Sequence, residues 1–175
     1  ALARAGIIGV SVDAEDLTDP TGRANLLEAG ADLVVRHIRY WRDIENGVGG
    51  AELVGATAAD FEDRIDLARV GLAGHSRGGA RTVLVAHRPD FPGDVRVRSG
   101  LLIAPAYVVG QPTGRDVPWL VLGGSRDSDV IDQPVAHFDA MESAAFNVPE
   151  RFLEWVYGAT HRDWNARATA VGVRE

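Results

Sequence analysis

The chain has no cysteine, a single methionine among 175 residues and no lysine, so that all 18 of its basic residues are arginine. Without cysteine, a disulfide scaffold, a cysteine-ligated zinc site and a thiol nucleophile are all excluded. Compartment does not follow, because cysteine-free chains occur in reducing and oxidising environments alike. Long apolar runs are also missing: no stretch approaches the roughly 18 consecutive apolar residues of a membrane-spanning helix. Positive charge is in short supply, with 25 acidic residues against 18 basic ones, a net charge of −7 and a pI near 5.2. That balance argues against a nucleic-acid surface, which needs clustered positive charge to displace counterions. No His-Glu-x-x-His pair or comparable ligand spacing occurs, so neither a metal nor another cofactor is implied.

What is present is a chain of 46% hydrophobic and 25% charged residues, with aliphatic side chains in every segment. This is the profile of one globular domain over residues 1–175, not of a disordered chain. Residues 6–12 are a short apolar, β-prone run and read as a strand already under way, which makes the chain look N-terminally incomplete. Asp19-Pro20 offers an N-cap followed by proline at the first helical position. Leu27, Ala31, Val34, Ile38 and Trp41 then recur at helical spacing, with Asp32, Arg36, Arg39 and Asp43 opposite, so a long amphipathic helix is expected. Residues 46–66 read as loop with at most a short helix at 57–63. Further strands are expected at 67–73, 97–104, 119–122 and 151–157. Helices are expected up to about His87, from Asp132-Pro134 onward, and over about 162–170. Strand–helix alternation at this spacing implies an α/β fold, a mostly parallel sheet with helices on both faces.

The strongest chemical signal is Gly74-His75-Ser76-Arg77-Gly78-Gly79, at the junction of an expected strand and an expected helix. Six serines and 20 glycines in 175 residues would produce Gly-x-Ser-x-Gly by chance about 0.08 times per chain. A strand that turns abruptly into a helix strains the serine backbone and favours glycine on both sides. It also lifts the Oγ above the sheet and aims the next N–H, that of Arg77, at the position of an oxyanion. The bland alternative is a glycine-rich turn with a capping serine. A serine nucleophile needs a base and a carboxylate to orient that base. Two later segments supply them: Gly124-Ser125-Arg126-Asp127-Ser128-Asp129-Val130 after the fourth expected strand, and His161 after the last. Both stand at strand carboxyl ends, the edge where ligands gather in open α/β sheets. His37, His87 and His137 fall in expected helices, where a packed or solvated role is the default. His75 sits inside the turn and is expected to face away from the serine hydroxyl.

In these three turns the chain resembles the α/β-hydrolases, nearest to the esterase, lipase and dienelactone-hydrolase-like groups. The Gly-His-Ser-Arg-Gly-Gly and Asp-Ser-Asp-Val segments also resemble those of large secreted hydrolases of actinobacteria. The resemblance implies that the strands present are the fourth to the eighth of that fold. Gly124, Asp127 and Val130 match the family's acid turn, which favours Asp127 over Asp129 as the acid; Asp129 otherwise reads as turn chemistry or an N-cap. Implied with it is a serine hydrolase cleaving a carboxylic ester of a small molecule, lipid or polymer through an acyl-enzyme on Ser76, with Asp127 and His161 completing the triad. The family's second oxyanion donor comes from a loop after its third strand, which would precede residue 6. Between the strand at 97–104 and Trp119 only about a dozen residues intervene, so the site is expected to be open, with Tyr107 and Trp164 as the aromatic candidates for its lining or, equally, for packing at its rim. Two other readings share the motif: a serine peptidase of the prolyl-oligopeptidase type, which usually has Tyr where this chain has Arg77, and a non-catalytic hydrolase-like binding domain.

Overall fold

A computed structural model describes residues 2–14, 24–108, 117–141 and 150–164. A 3₁₀ turn at Leu2–Ala5 and a second at Ala58–Asp60 accompany three helices, α1 (Ala24–Glu45), α2 (Arg77–His87) and α3 (Gln133–Ala140). The strands are β1 (Val70–His75), β2 (Val97–Ile103), β3 (Trp119–Gly124) and β4 (Arg151–Val156), all parallel and in the spatial order β1-β2-β3-β4. Register aligns their ends: His75 lies opposite Ile103, Ile103 opposite Leu122, and Gly124 opposite Val156. The segments that follow the four strands therefore leave from one edge of the sheet. That edge carries Ser76, Asp127 and His161.

The core follows from the period of two along each strand. Leu72, Leu102, Trp119 and Val121 are buried and meet Leu27, Ala31 and Val35 of α1 and Ala80, Val83 and Leu84 of α2. The alternate side chains Leu101, Ile103, Leu120 and Leu122 are only half buried among the described residues. The apolar stripe of α1 packs as its spacing requires, with Val35 and Ile44 joining it as fully buried members.

Residues 6–12 do not form the expected strand. A strand exists only through its ladder, and here the backbone of this segment pairs with no strand among the described residues; Ile7 N–H instead returns to the Leu2 carbonyl at 3.1 Å. Ile7, Ile8 and Val10 are consequently exposed by 43–50%. The strand expected at 67–73 begins later, at Val70. Asp66 holds the preceding residues in a turn by accepting the N–H of Ala68 at 3.0 Å and of Arg69 Nε at 2.5 Å. The proposed cap at Asp19-Pro20 and most of the expected terminal helix lie outside the described residues.

One buried group ties α3 to the site edge. His137 is fully buried, its Nε2 lies 2.8 Å from the Ala106 carbonyl, and Tyr107 packs edge-on against its ring at 5.0 Å. A carbonyl accepts, so Nε2 carries the proton and donates; Nδ1 is buried without a partner among the described residues. Burial pushes the His137 pKa below its usual value, and the bond to Ala106 offsets this only in part. The folded protein thus binds this proton less readily than the unfolded chain. Its stabilising contribution is complete above the unfolded value near 6.5 and is lost as pH falls below it toward the depressed folded value. Urea unfolding of wild type should therefore show stability falling below about pH 6.5, by at most about 1.4 kcal/mol per pH unit for one proton. His137→Gln, which keeps a donor at the Nε2 position and cannot be charged, should flatten that slope. An unchanged slope would show that His137 is not responsible.

Candidate active site

Ser76 is the one residue between β1 and α2, with φ 55° and ψ −125°. Such a backbone is strained for any residue with a side chain and persists only where its surroundings hold it. Here they do so from two directions. Ser76 N–H donates to the Ile103 carbonyl at 3.0 Å, while its own carbonyl accepts the N–H groups of Gly79 at 2.9 Å and Ala106 at 3.0 Å. The serine side chain makes no cap on α2, so the helix does not consume the hydroxyl.

The flanking glycines divide differently from the expectation. A Cβ on Gly74 would overlap the carbonyl of Gly78 and the Thr82 hydroxyl, so Gly74 is what lets the helix start approach the strand end. A Cβ on Gly78 would meet nothing within 4 Å, whereas one on Gly79 would come within 2.7 Å of Pro105 Cβ. The close packing required on the helix side falls on Gly79 and not on Gly78. The doubled glycine is the signal that marks it.

Asp127 and His161 are brought together. His161 Nδ1 lies 2.9 Å from Asp127 Oδ2, with the Asp127 side chain fully buried and that of His161 8% exposed. The other carboxylate oxygen, Oδ1, accepts the N–H groups of Asp129 and Val130, each at 3.0 Å. The turn after β3 thereby fixes the carboxylate, and the carboxylate fixes the imidazole. Because a carboxylate accepts, the neutral ring carries its proton on Nδ1 and presents Nε2 as a bare acceptor. Asp129 stands on the other side: its Oδ2 is 3.5 Å from His161 Nε2, and its side chain is 68% exposed. That separation exceeds a hydrogen bond. The N-cap position of α3 belongs to Asp132, again without a side-chain cap bond.

His75, expected to face away from the serine hydroxyl, is turned toward His161. Its Nε2 is 3.0 Å from the His161 carbonyl oxygen, and the two rings lie 4.6 Å apart at 37°. This contact joins the Ser76 turn to the His161 loop across 86 positions. Desolvation by burial, followed by the neighbouring His161, pushes the His75 pKa down. Arg77 opens α2, where backbone N–H groups point out of the helix end. Tyr107 is half buried, with its ring on His137 and its N–H donating to Gln133 Oε1 at 2.7 Å. Trp164 is half buried, with an indole N–H that is enclosed and has no partner among the described residues. It follows a turn in which Asp163 accepts both the N–H and the hydroxyl of Thr160. Gln133, which anchors the segment beside the Ser76 turn, carries no sequence signal.

The fold is an open, parallel α/β sheet with a strand–serine–helix turn at its carboxyl edge. No protein-family model matches the chain, and no curated protein does. Among solved structures it is similar to MGS-M1, an alpha/beta hydrolase enzyme from a Medee basin deep-sea metagenome library. The two are 17% identical with a TM-score of 0.48, over 75% of this chain and 49% of that one. It is also similar to a thermophilic esterase from the Planctomycetes species Thermogutta terrifontis, Est2, solved with propionate bound. Here the identity is 15% and the TM-score 0.45, over 81% of this chain and 61% of that one. The chain spans about half to three-fifths of the length of these two proteins.

The glycine assignments have a direct consequence. Gly78→Ala should leave the melting temperature within a few degrees of wild type. Gly74→Ala and Gly79→Ala should each lower stability by about 1–3 kcal/mol, the usual range for overpacking. Thermal melts of the three variants decide it, and equal melting of Gly74→Ala and Gly78→Ala would contradict the packing described.

Proposed function

We propose that the chain is the catalytic part of an α/β-hydrolase that cleaves a carboxylic ester through an acyl-enzyme on Ser76. The observation that carries this reading is the buried Asp127–His161 bond, 2.9 Å long, which leaves Nε2 as the proton acceptor. It stands at the same sheet edge as a serine held at φ 55°. In the first half-reaction Ser76 Oγ attacks the ester carbonyl and its proton passes to His161 Nε2. The tetrahedral oxyanion is met by the Arg77 N–H, and the imidazolium is stabilised by Asp127. Collapse expels the alcohol, which takes the proton from His161. In the second half-reaction water attacks the acyl carbon, again through His161, and releases the acid and Ser76. Asp127 is the acid in this scheme because its carboxylate is buried and met by donors on both oxygens, whereas Asp129 is exposed and beyond hydrogen-bond distance.

A fluorophosphonate probe on the natural full-length protein tests the nucleophile. Ser76 should be labelled, and Ser76→Ala should abolish labelling; labelling that persists in the variant overturns the assignment. His161→Ala should lower short-chain p-nitrophenyl ester turnover by about 10³-fold or more, since triad members act as a unit.

The two carboxylates provide a second test. Asp127→Asn should cost on the order of 10⁴ in kcat by favouring the wrong tautomer of His161, and Asp129→Asn far less. The reverse ranking would make Asp129 the acid.

A further inference from the structure

His75 lies outside the proton path, yet it makes two contacts with the proposed base. Its Nε2 is 3.0 Å from the His161 carbonyl oxygen, and the rings pack with centroids 4.6 Å apart. A carbonyl oxygen only accepts, so His75 carries a proton on Nε2 and donates it. The enclosure of the ring favours its neutral form. Asp127 determines where His161 Nδ1 points, but it does not determine how far the loop carrying His161 stands from Ser76. Other bonds of that loop run to the turn after β3: Gly158 N–H donates to Ser125 Oγ at 2.8 Å, and Arg126 N–H to the Ala159 carbonyl at 3.0 Å. The His75 bond runs instead to the residue adjoining Ser76, and so acts on the distance between nucleophile and base.

We propose that His75 is a positioning residue: its Nε2–H clamps the His161 backbone to the Ser76 turn and its ring braces the His161 imidazole. The inference rests on reading Ser76 and His161 as nucleophile and base. Nothing in the reaction passes through His75 itself. Its effect is geometric, and a misplacement of the base lowers the rate of proton transfer without changing how substrate is held.

The test compares His75→Phe, which keeps an aromatic ring without the donor, with His75→Gln, whose amide nitrogen reaches about as far as Nε2. In the natural full-length protein His75→Phe should lower kcat for p-nitrophenyl acetate by about two- to tenfold, the scale of one net hydrogen bond, with KM unchanged. His75→Gln should recover most of the loss. A readout without substrate accompanies it: the His161 Nδ1 proton, followed by ¹H–¹⁵N NMR, should exchange with water faster in His75→Phe than in wild type or His75→Gln. Equal kcat and equal exchange in all three proteins would overturn the proposal, as would equal losses in both variants. If wild type takes no fluorophosphonate label, the hydrolase reading falls while the exchange comparison still decides whether His75 positions His161. Should His75→Phe not fold, His75→Asn, too short to reach the His161 carbonyl, replaces it.

Discussion

Ser76 occupies a backbone conformation that costs of the order of 1–3 kcal/mol, and three hydrogen bonds hold it there: one to the Ile103 carbonyl, and one each from Gly79 and Ala106. Each comes from a different piece of the structure, namely the end of β2, the first turn of α2 and the segment beyond β2. The strain is sustained only while β1 and β2 stay in register and the segment at 104–107 stays in place. That segment is secured in turn from α3, by His137 on the Ala106 carbonyl and Gln133 on the Tyr107 N–H. The geometry of one serine therefore depends on β1, β2, α2 and α3 together.

Asp127 and His161 follow the same logic with charge added. A carboxylate withdrawn from water is tolerable only if its oxygens are met by donors. Asp127 has two backbone N–H groups on one oxygen and the imidazole on the other. Asp129, two residues on, remains in water and needs no such arrangement. The contrast separates two chemically identical side chains into a fixed partner for His161 and a solvated neighbour. Parallel topology does the rest, since β3 and β4 deliver the two loops to adjacent places on one edge.

How much of this could be read from the chain depended on whether the decisive interaction was local. The strands at 97–104 and 151–157 and the stripe of α1 were legible because a run of apolar residues or a spacing of three and four already states which face is buried. That Ser76 and Asp127 stand in strand-end turns was legible from glycine at fixed offsets, and that His161 stands on the same edge from its place after the last strand. Residues 6–12 have the composition of a strand, but composition cannot supply a partner, and the described structure offers none. The role of Gly79 over Gly78 turns on Pro105, some 26 positions away, and the orientation of His75 on a carbonyl 86 positions away. No local pattern encodes either.

The two histidines that the sequence left outside the candidate triad, His75 and His137, have a common property. His75 and His137 each place an Nε2–H on a backbone carbonyl at the carboxyl edge of the sheet, at 3.0 Å and 2.8 Å, and burial depresses the pKa of both. A lysine or arginine in either place would bring a permanent charge into an enclosed space, and an asparagine would be too short. A neutral imidazole supplies a rigid donor of the right reach without that charge. The requirement is neutrality, and it has a limit: both rings accept a second proton as pH falls, His137 at an Nδ1 with no partner among the described residues. Acid sensitivity is thereby built into the supports of the site, on α3 beneath the segment at 104–107 and on β1 beside Ser76, independently of the residues that would carry the reaction.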